Sequence, residues 1–225
     1  MMKRVLDVVL SITALVALVP LLIPIILVLR LSGEGEIFYI QKRIGRGGSA
    51  FGLYKFATML KDSPNIGSGE ITLQKDPRVL PVGRFLRKTK LNELPQLWNI
   101  VIGDMSLVGP RPMVPNTYLH YTQDARRMLD TVRPGLTGIG SIVFRDEERF
   151  LVAQNDPLNF YRETIIPYKS DLECWFVEND SLGLYLKAVV VTAWVIIFPS
   201  SRIVAKVFAN MPAPPEALAK IPNCY

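Results

Sequence analysis

The run from Asp76 to Pro112, DPRVLPVGRFLRKTKLNELPQLWNIVIGDMSLVGPRP, gathers the side chains best suited to chemistry. Six cations, Arg78, Arg84, Arg87, Lys88, Lys90 and Arg111, flank the step Asn92-Glu93, and the run closes on a Gly-Pro-Arg-Pro turn. That composition suits a phosphorylated ligand held beside a carboxylate. Arg87, Arg111 and Arg133 are candidates to clamp phosphate oxygens, because a guanidinium can meet a phosphate through two parallel hydrogen bonds. Glu93 is a candidate Mg²⁺ ligand, since that ion takes oxygen donors and is commonly shared between a carboxylate and substrate phosphates. Asp104 is a second candidate ligand, although Ile-Gly-Asp-Met-Ser suits a turn aspartate equally well. Any one of these arginines read alone is a solvated surface cation. As a cluster around two proline-stiffened turns they point to an anion.

Local patterns place this chemistry at helix starts and turns. Val82–Lys88 and Asn92–Val101 read as helices, with Asn92 as N-cap and Glu93 and Pro95 in the first turn. Leu94, Leu97, Trp98 and Val101 form an apolar face at helical spacing, which leaves Glu93 off the buried stripe. Upstream, Ile37–Gln41 and Phe51–Met59 read as short strands joined by the glycine-rich basic segment RIGRGGSA. Such a loop can cradle phosphate. This one lacks the lysine-serine ending of a P-loop, so a hairpin turn is expected. Ser63–Glu70 is a loop by composition. Thr117–Thr131 reads as a polar helix, Arg133–Ile142 as a turn leading to an extended piece, and Glu147–Asn155 and Pro157–Glu178 as further helices. Leu182–Phe198 is apolar but divided by Lys187, so an interfacial or buried helix is expected, with Tyr185 and Trp194 suited to the headgroup level. The tail MPAPPEALAKIPNCY reads as loosely ordered.

A chain of 225 residues can form one domain, or one domain plus a membrane element. Apolar residues make up 49%, and mean hydropathy is +0.24, high for a purely soluble protein. The net charge of +6 and pI near 9.4 favour an anionic partner. No recognition helix or stacking aromatic pattern supports a nucleic acid as that partner. Cys174 and Cys224 stand far apart and read as reduced thiols. The single histidine, His120, lies in the polar stretch TYLHYTQDARR and reads as a surface residue. One histidine excludes a His-based metal cluster, so acid-base and nucleophilic work falls mainly to carboxylates.

Residues Val5 to Leu29 are apolar except for Asp7, Ser11 and Thr13. As a straight helix they would reach roughly 37 Å, enough to cross a hydrocarbon core of ~30 Å. A secretory signal is disfavoured by the length of the run and the lack of a small-x-small cleavage site. A single-pass anchor and a bent re-entrant hairpin remain. Pro20 and Pro24 each remove a backbone donor and favour a bend. Lys3, Arg4 and Arg30 flank both ends, and the positive-inside bias then keeps both ends cytoplasmic. The bent hairpin is the reading adopted.

With these features assembled, nearly the whole chain resembles the bacterial sugar transferases, the monotopic phosphoglycosyl transferases. The resemblance rests on KRVLDVVLS, FYIQKRIGRGG, YKFATM, the Asp76–Pro112 run, RPGLTG and WFVENDSLGLYLKAVVVT. It implies an α+β, mainly helical protein. A re-entrant membrane helix-break-helix (1–33) would precede a small cytoplasmic catalytic domain with interfacial helices (34–205) and a proline-rich tail (206–225). It implies transfer of a phospho-sugar from a UDP-sugar to a polyprenyl phosphate such as undecaprenyl phosphate, with release of UMP and a requirement for Mg²⁺. The setting is the cytoplasmic face of the bacterial inner membrane, and the step is the first in O-antigen, capsule, exopolysaccharide or protein-glycan assembly. A homo-oligomer is possible.

In much of that family an Asp-Glu dyad precedes Leu-Pro-Gln, and its aspartate attacks the β-phosphorus. Here the positions hold Asn92 and Glu93, followed by Leu94-Pro95-Gln96, and an arginine common in the KFR segment is Ala57. Asn92 and Glu93 are the catalytic candidates. Lys55, Arg87, Gln96, Arg111, Arg133 and Arg145 are the substrate-binding candidates. Three mechanisms follow: Glu93 as nucleophile, direct attack by the lipid phosphate with Glu93 organising Mg²⁺, or a weak or inactive protein. The second is preferred, because the lipid phosphate is already an anionic nucleophile. The competing function is a catalytically weak or inactive surface protein that binds lipid or nucleotide-sugar, or acts as a scaffold.

Overall fold

A computed structural model describes residues 1–66, 76–145, 147, 151, 156–198, 201–208 and 210–218. Helix α1, Met2–Leu31, is one unbroken element with Pro20 and Pro24 inside it. The expected helix-break-helix is corrected to that extent. Each proline removes only its own amide donor, and the surrounding turns carry the helix through.

Both ends of α1 and its middle rest on the remainder of the chain. Lys3 pairs with Asp180 at 2.5 Å. Arg4 donates to the Ile100 and Val101 carbonyls at 2.5 and 3.0 Å. Asp7 is buried and accepts from Ser106 Oγ, Leu107 N–H and Tyr185 O–H at 3.0, 2.9 and 2.8 Å. Further along, Leu15 and Leu18 pack on Leu53, Leu97 and Ile100, and Ile25 and Leu29 join Phe56 and Leu86. The opposite face, including Val9, Val16, Ile23 and Leu27, is exposed and apolar.

Strands β1 (Phe38–Ile44) and β2 (Ala50–Phe56) form an antiparallel hairpin in the register Phe38↔Phe56 to Ile44↔Ala50. The glycine-rich segment is its turn, as expected. Gly47 and Gly48 there take φ of 72° and 68°, which side chains beyond glycine rarely adopt. Helix α2, Pro81–Lys88, follows. Its Gly83 lies against the Thr58 backbone, where an added Cβ would come within 2.1 Å of the carbonyl oxygen.

Asn92 does not cap a helix. It sits in a tight 3-10 turn, Leu91–Glu93, and Lys90 enters that turn at φ 60°. Helix α3 runs Gln96–Ile102 with Pro95 before it. The 90–95 segment closes short-range bonds, such as Glu93 N–H to the Lys90 carbonyl at 3.1 Å, so the helix begins late. Its buried residues include Gln96, Leu97, Asn99 and Ile100, while Trp98, expected on the buried face, is half exposed.

Strand β3 (Ser106–Val108) and β4 (Gly135–Thr137) pair in parallel. Between them lie α4 (Pro115–Leu119) and α5 (Gln123–Leu129). The single helix expected over 117–131 is split because Thr122 caps α5, accepting from Ala125 N–H at 3.2 Å. Helix α6, Ile139–Val143, takes up much of the stretch expected to be extended. Most of the helix expected at 147–155 lies outside the described residues.

Helix α7 (Pro157–Phe160) passes through a π-turn, Tyr161–Ile165, into α8 (Ile166–Glu178). Helix α9 is Leu182–Ile197 and α10 is Ile203–Val207. The main core joins α6, α8 and α9 through residues such as Ile142, Leu172, Ala188 and Val191. Tyr185 is 1% exposed and bonded to Asp7, so it is a core residue and not a headgroup anchor; Trp194 is partly exposed. The tail up to Leu218 is packed instead of loose: Phe208 and Leu218 are buried in the main core, and Tyr168 O–H donates to the Pro212 carbonyl at 3.0 Å.

Candidate active site

A broad cleft of about 2590 Å³ opens between the hairpin, α2, the 110–115 turn and the α6–α9 core. Among the described residues, twelve Lys and Arg line it against five Asp and Glu, a balance that favours an anion. Lys55, Arg87, Asn92, Glu93, Arg111 and Arg145 all line this space. The structure therefore brings together six of the sequence-derived candidates, drawn from four separate segments.

Glu93 and Arg111 form the centre. Arg111 Nη2 lies 3.1 Å from Glu93 Oε1. Burial opposes ionisation of Glu93, but Arg111, Lys55 and Lys90 outweigh it and hold the carboxyl at about 2. Glu93 is thus an anion at any physiological pH. Burial pushes Lys55 down to about 7, with the positive charge of Arg43 adding to the effect. Lys55 Nζ donates to Gln41 Oε1 at 3.1 Å, and Arg43 Nη2 donates to the same oxygen at 2.7 Å. Next to Glu93, Asn92 is 7% exposed, and its Oδ1 has no partner among the described residues. Arg145 donates to the Val195 carbonyl at the α9 side of the cleft.

Three candidates lie elsewhere. Arg133 Nε donates to the Gly103 carbonyl at 2.8 Å and, with Arg4, neutralises the C-terminal end of α3. Asp104 Oδ2 accepts from Asn99 Nδ2 at 3.2 Å, and Asn99 in turn bonds Tyr54 N–H and the Gly52 carbonyl of β2. Gln96 is buried in α3. Asp104 and Glu93 are therefore not brought to one place. No group of three His, Cys, Asp or Glu suited to a metal occurs among the described residues. The carboxylate at hand is that of Glu93, while the Asn92 amide oxygen beside it is enclosed. That carboxylate fits a cation such as Mg²⁺ only where phosphate oxygens complete the shell.

The model of the family described as "Bacterial sugar transferase" matches residues 1–199. The chain belongs to the bacterial sugar transferase family. It is 40% identical over 159 residues to the exopolysaccharide production protein ExoY of Sinorhizobium fredii, covering 64% of this chain and 70% of that one. It is 36% identical over 157 residues to an undecaprenyl-phosphate glucose phosphotransferase of Komagataeibacter xylinus, covering 64% and 30%. It is 38% identical over 160 residues to an undecaprenyl-phosphate galactose phosphotransferase of Salmonella typhimurium, covering 65% and 33%. The matches thus span about a third of the length of the last two relatives.

In this sugar transferase the sequence alone did not single out Gln41, Arg43 or Glu173. Gln41 and Arg43 line the cleft along β1, together with Tyr39, Ile40 and Lys42 on both faces of the strand, so alternation would not have singled them out. Glu173 carries no local signal. It is 4% exposed on α8, lines the cleft, and is pushed up to about 7 by burial. Membrane association fits the family and α1, a helix long and apolar enough to cross a bilayer.

Proposed function

We propose that the protein transfers a sugar 1-phosphate from a UDP-sugar to a polyprenyl phosphate such as undecaprenyl phosphate, releasing UMP. The carrying observation is a single cleft whose cationic centre around Glu93 continues into an apolar wall. Leu94, Leu107, Leu136, Val189 and Ile196 line that wall in the same space as Lys55, Arg87 and Arg111. A ligand that is anionic at its head and greasy along its tail matches both ends. The names of the relatives, which pair undecaprenyl phosphate with glucose or galactose, support the same reading.

In this reading, an oxygen of the lipid phosphate attacks the sugar-bearing phosphorus of the donor. A new P–O–P linkage forms to the lipid, the bond to the UMP oxygen breaks, and UMP departs with that electron pair. Lys55, Arg87 and Arg111 hold and neutralise the diphosphate, which is most of what phosphoryl transfer asks of a protein. Asn92 is an amide and no nucleophile. Glu93, pinned as an anion by Arg111, orients the cations and would offer a carboxylate oxygen to Mg²⁺. When bound, that ion would supply charge neutralisation at the diphosphate.

The same reading sets α1 against the cytoplasmic leaflet of the inner membrane, with its exposed apolar face toward lipid. Two observations support it: α1 is held to one body from Lys3 to Leu29, and cations flank both its ends.

The test is UMP release from a panel of UDP-sugars supplied with undecaprenyl phosphate and Mg²⁺. Release dependent on the lipid phosphate is expected, with no phospho-sugar retained on the protein. Ping-pong kinetics with a trapped phospho-sugar would overturn direct attack. Absence of both turnover and donor binding would overturn the function itself.

A further inference from the structure

Arg111 sits in the turn Gly109-Pro110-Arg111-Pro112, where the prolines contribute no amide hydrogen. The turn has two N–H donors, and both are used. Gly109 N–H donates to the Thr137 carbonyl at 2.9 Å, and the Pro110 carbonyl accepts from Gly135 N–H at 2.8 Å. Arg43 Nη1 holds the far end through the Pro112 carbonyl at 2.8 Å. The remaining donor, Arg111 N–H, goes to Glu173 Oε1 at 3.2 Å. Thus the backbone of Arg111 is held by a carboxylate from α8, while its guanidinium meets Glu93 from the 91–93 turn.

Glu173 is itself locked in place. Its side chain lies over α6 at Gly140, where a Cβ would stand 2.4 Å from Oε1 and 3.0 Å from Cδ. Only glycine leaves room for the carboxylate there. Its second oxygen, Oε2, is buried without a partner among the described residues. Burying a carboxyl with one oxygen unsatisfied costs stability, so its presence here calls for a reason.

We propose that Glu173 is a positioning residue, which fixes the Arg111 main chain and so aims the guanidinium at the diphosphate and at Glu93. This rests on the functional reading above for what Arg111 grips. The bond needs only an acceptor oxygen, so a glutamine serves and an isosteric apolar residue does not.

Three variants test it. Glu173→Leu removes the acceptor. Gly140→Ala leaves Glu173 chemically intact but pushes its carboxylate away, and the atoms displaced belong to a side chain and not to the backbone. Glu173→Gln keeps an oxygen. Two readouts are taken: the rate at which phenylglyoxal modifies Arg111, followed on its peptide by mass spectrometry, and the kinetic constants with UDP-glucose as probe donor. Glu173→Leu and Gly140→Ala are expected to speed modification of Arg111. Both should also raise KM for the donor on the order of tenfold to a hundredfold, the usual consequence of misplacing a binding group. Glu173→Gln should recover most of both losses. Unchanged Arg111 labelling in Glu173→Leu and Gly140→Ala overturns the proposal, as does Glu173→Gln behaving like Glu173→Leu. Should Glu173→Leu fail to fold, the other two variants decide. Labelling needs no substrate, so a wild-type protein that neither binds nor consumes the donor sinks the functional reading while this one is still judged.

Discussion

Two acid–arginine pairs from the same sequence run meet opposite fates. Asp76 and Arg78 pair at 2.6 Å with side chains 3% and 4% exposed, and Arg78 Nη1 also donates to the Ser63 and Ile66 carbonyls at 2.8 and 2.7 Å. Glu93 and Arg111 pair at 3.1 Å with side chains 17% and 42% exposed. The first pair is buried at the cleft's edge, and its guanidinium spends its donors on Asp76 and on the protein's own carbonyls. The second opens on the cleft with donors still facing it. An arginine recruited to a structural tether is lost to a phosphate, and chemical type does not tell the two apart.

Breaking the buried pair is expected to have the largest effect. Asp76→Ala strands a buried guanidinium and should cost about 3–5 kcal/mol of stability, read as a fall in Tm. A stable Asp76→Ala protein with a selectively raised donor KM would move this pair into the site and undo the contrast. Glu93→Gln should do the reverse. It should lower kcat/KM by roughly two to three orders of magnitude, with little change in Tm, as for loss of one preorganised charged group. Retained activity would remove Glu93 from the mechanism.

A smaller effect sharpens the electrostatics of the open pair. Burial, helped by Arg43, holds Lys55 at about 7 in the free protein. A bound phosphate restores its charge, so binding above pH 7 takes up a proton. Donor affinity should therefore weaken as pH rises from 6 to 8, by about tenfold if Lys55 alone titrates. Lys55→Arg, charged throughout, should flatten that profile in titration calorimetry. A profile unchanged in Lys55→Arg would assign the titration elsewhere. The smallest effect belongs to the exposed pair Lys61–Glu36, 2.9 Å apart at the surface. Lys61→Met should leave Tm unmoved, because solvent and salt screen such a pair.

Several parts of the fold were legible because their signals are local. The hairpin announced itself through two short β-prone runs around Gly47 and Gly48. Helix α2 began at Pro81, and α9 matched its apolar run. Where sequence reading missed, a distant partner intervened. Asn92 has the side chain of an N-cap, yet the 91–93 turn tucks it inside and starts α3 at Gln96. Tyr185 has the amphipathic character of a headgroup anchor, yet Asp7, 178 positions earlier, takes its hydroxyl into the core. Arg133 belongs to a basic cluster in sequence, yet the Gly103 carbonyl claims it.

By itself the sequence determined the apolar leading helix, the net basicity and the carboxylate-plus-cation chemistry, since these follow from composition and from neighbours a few residues apart. Only the tertiary structure decided which charges are spent on the protein and which face a ligand. Glu173 reaches the Arg111 amide across 62 positions, and nothing in either local segment encodes that meeting. The physical reason is that burial, which sets both the cost of a charge and its freedom to bind, is a property of everything packed around a residue and not of the residue's own stretch of chain.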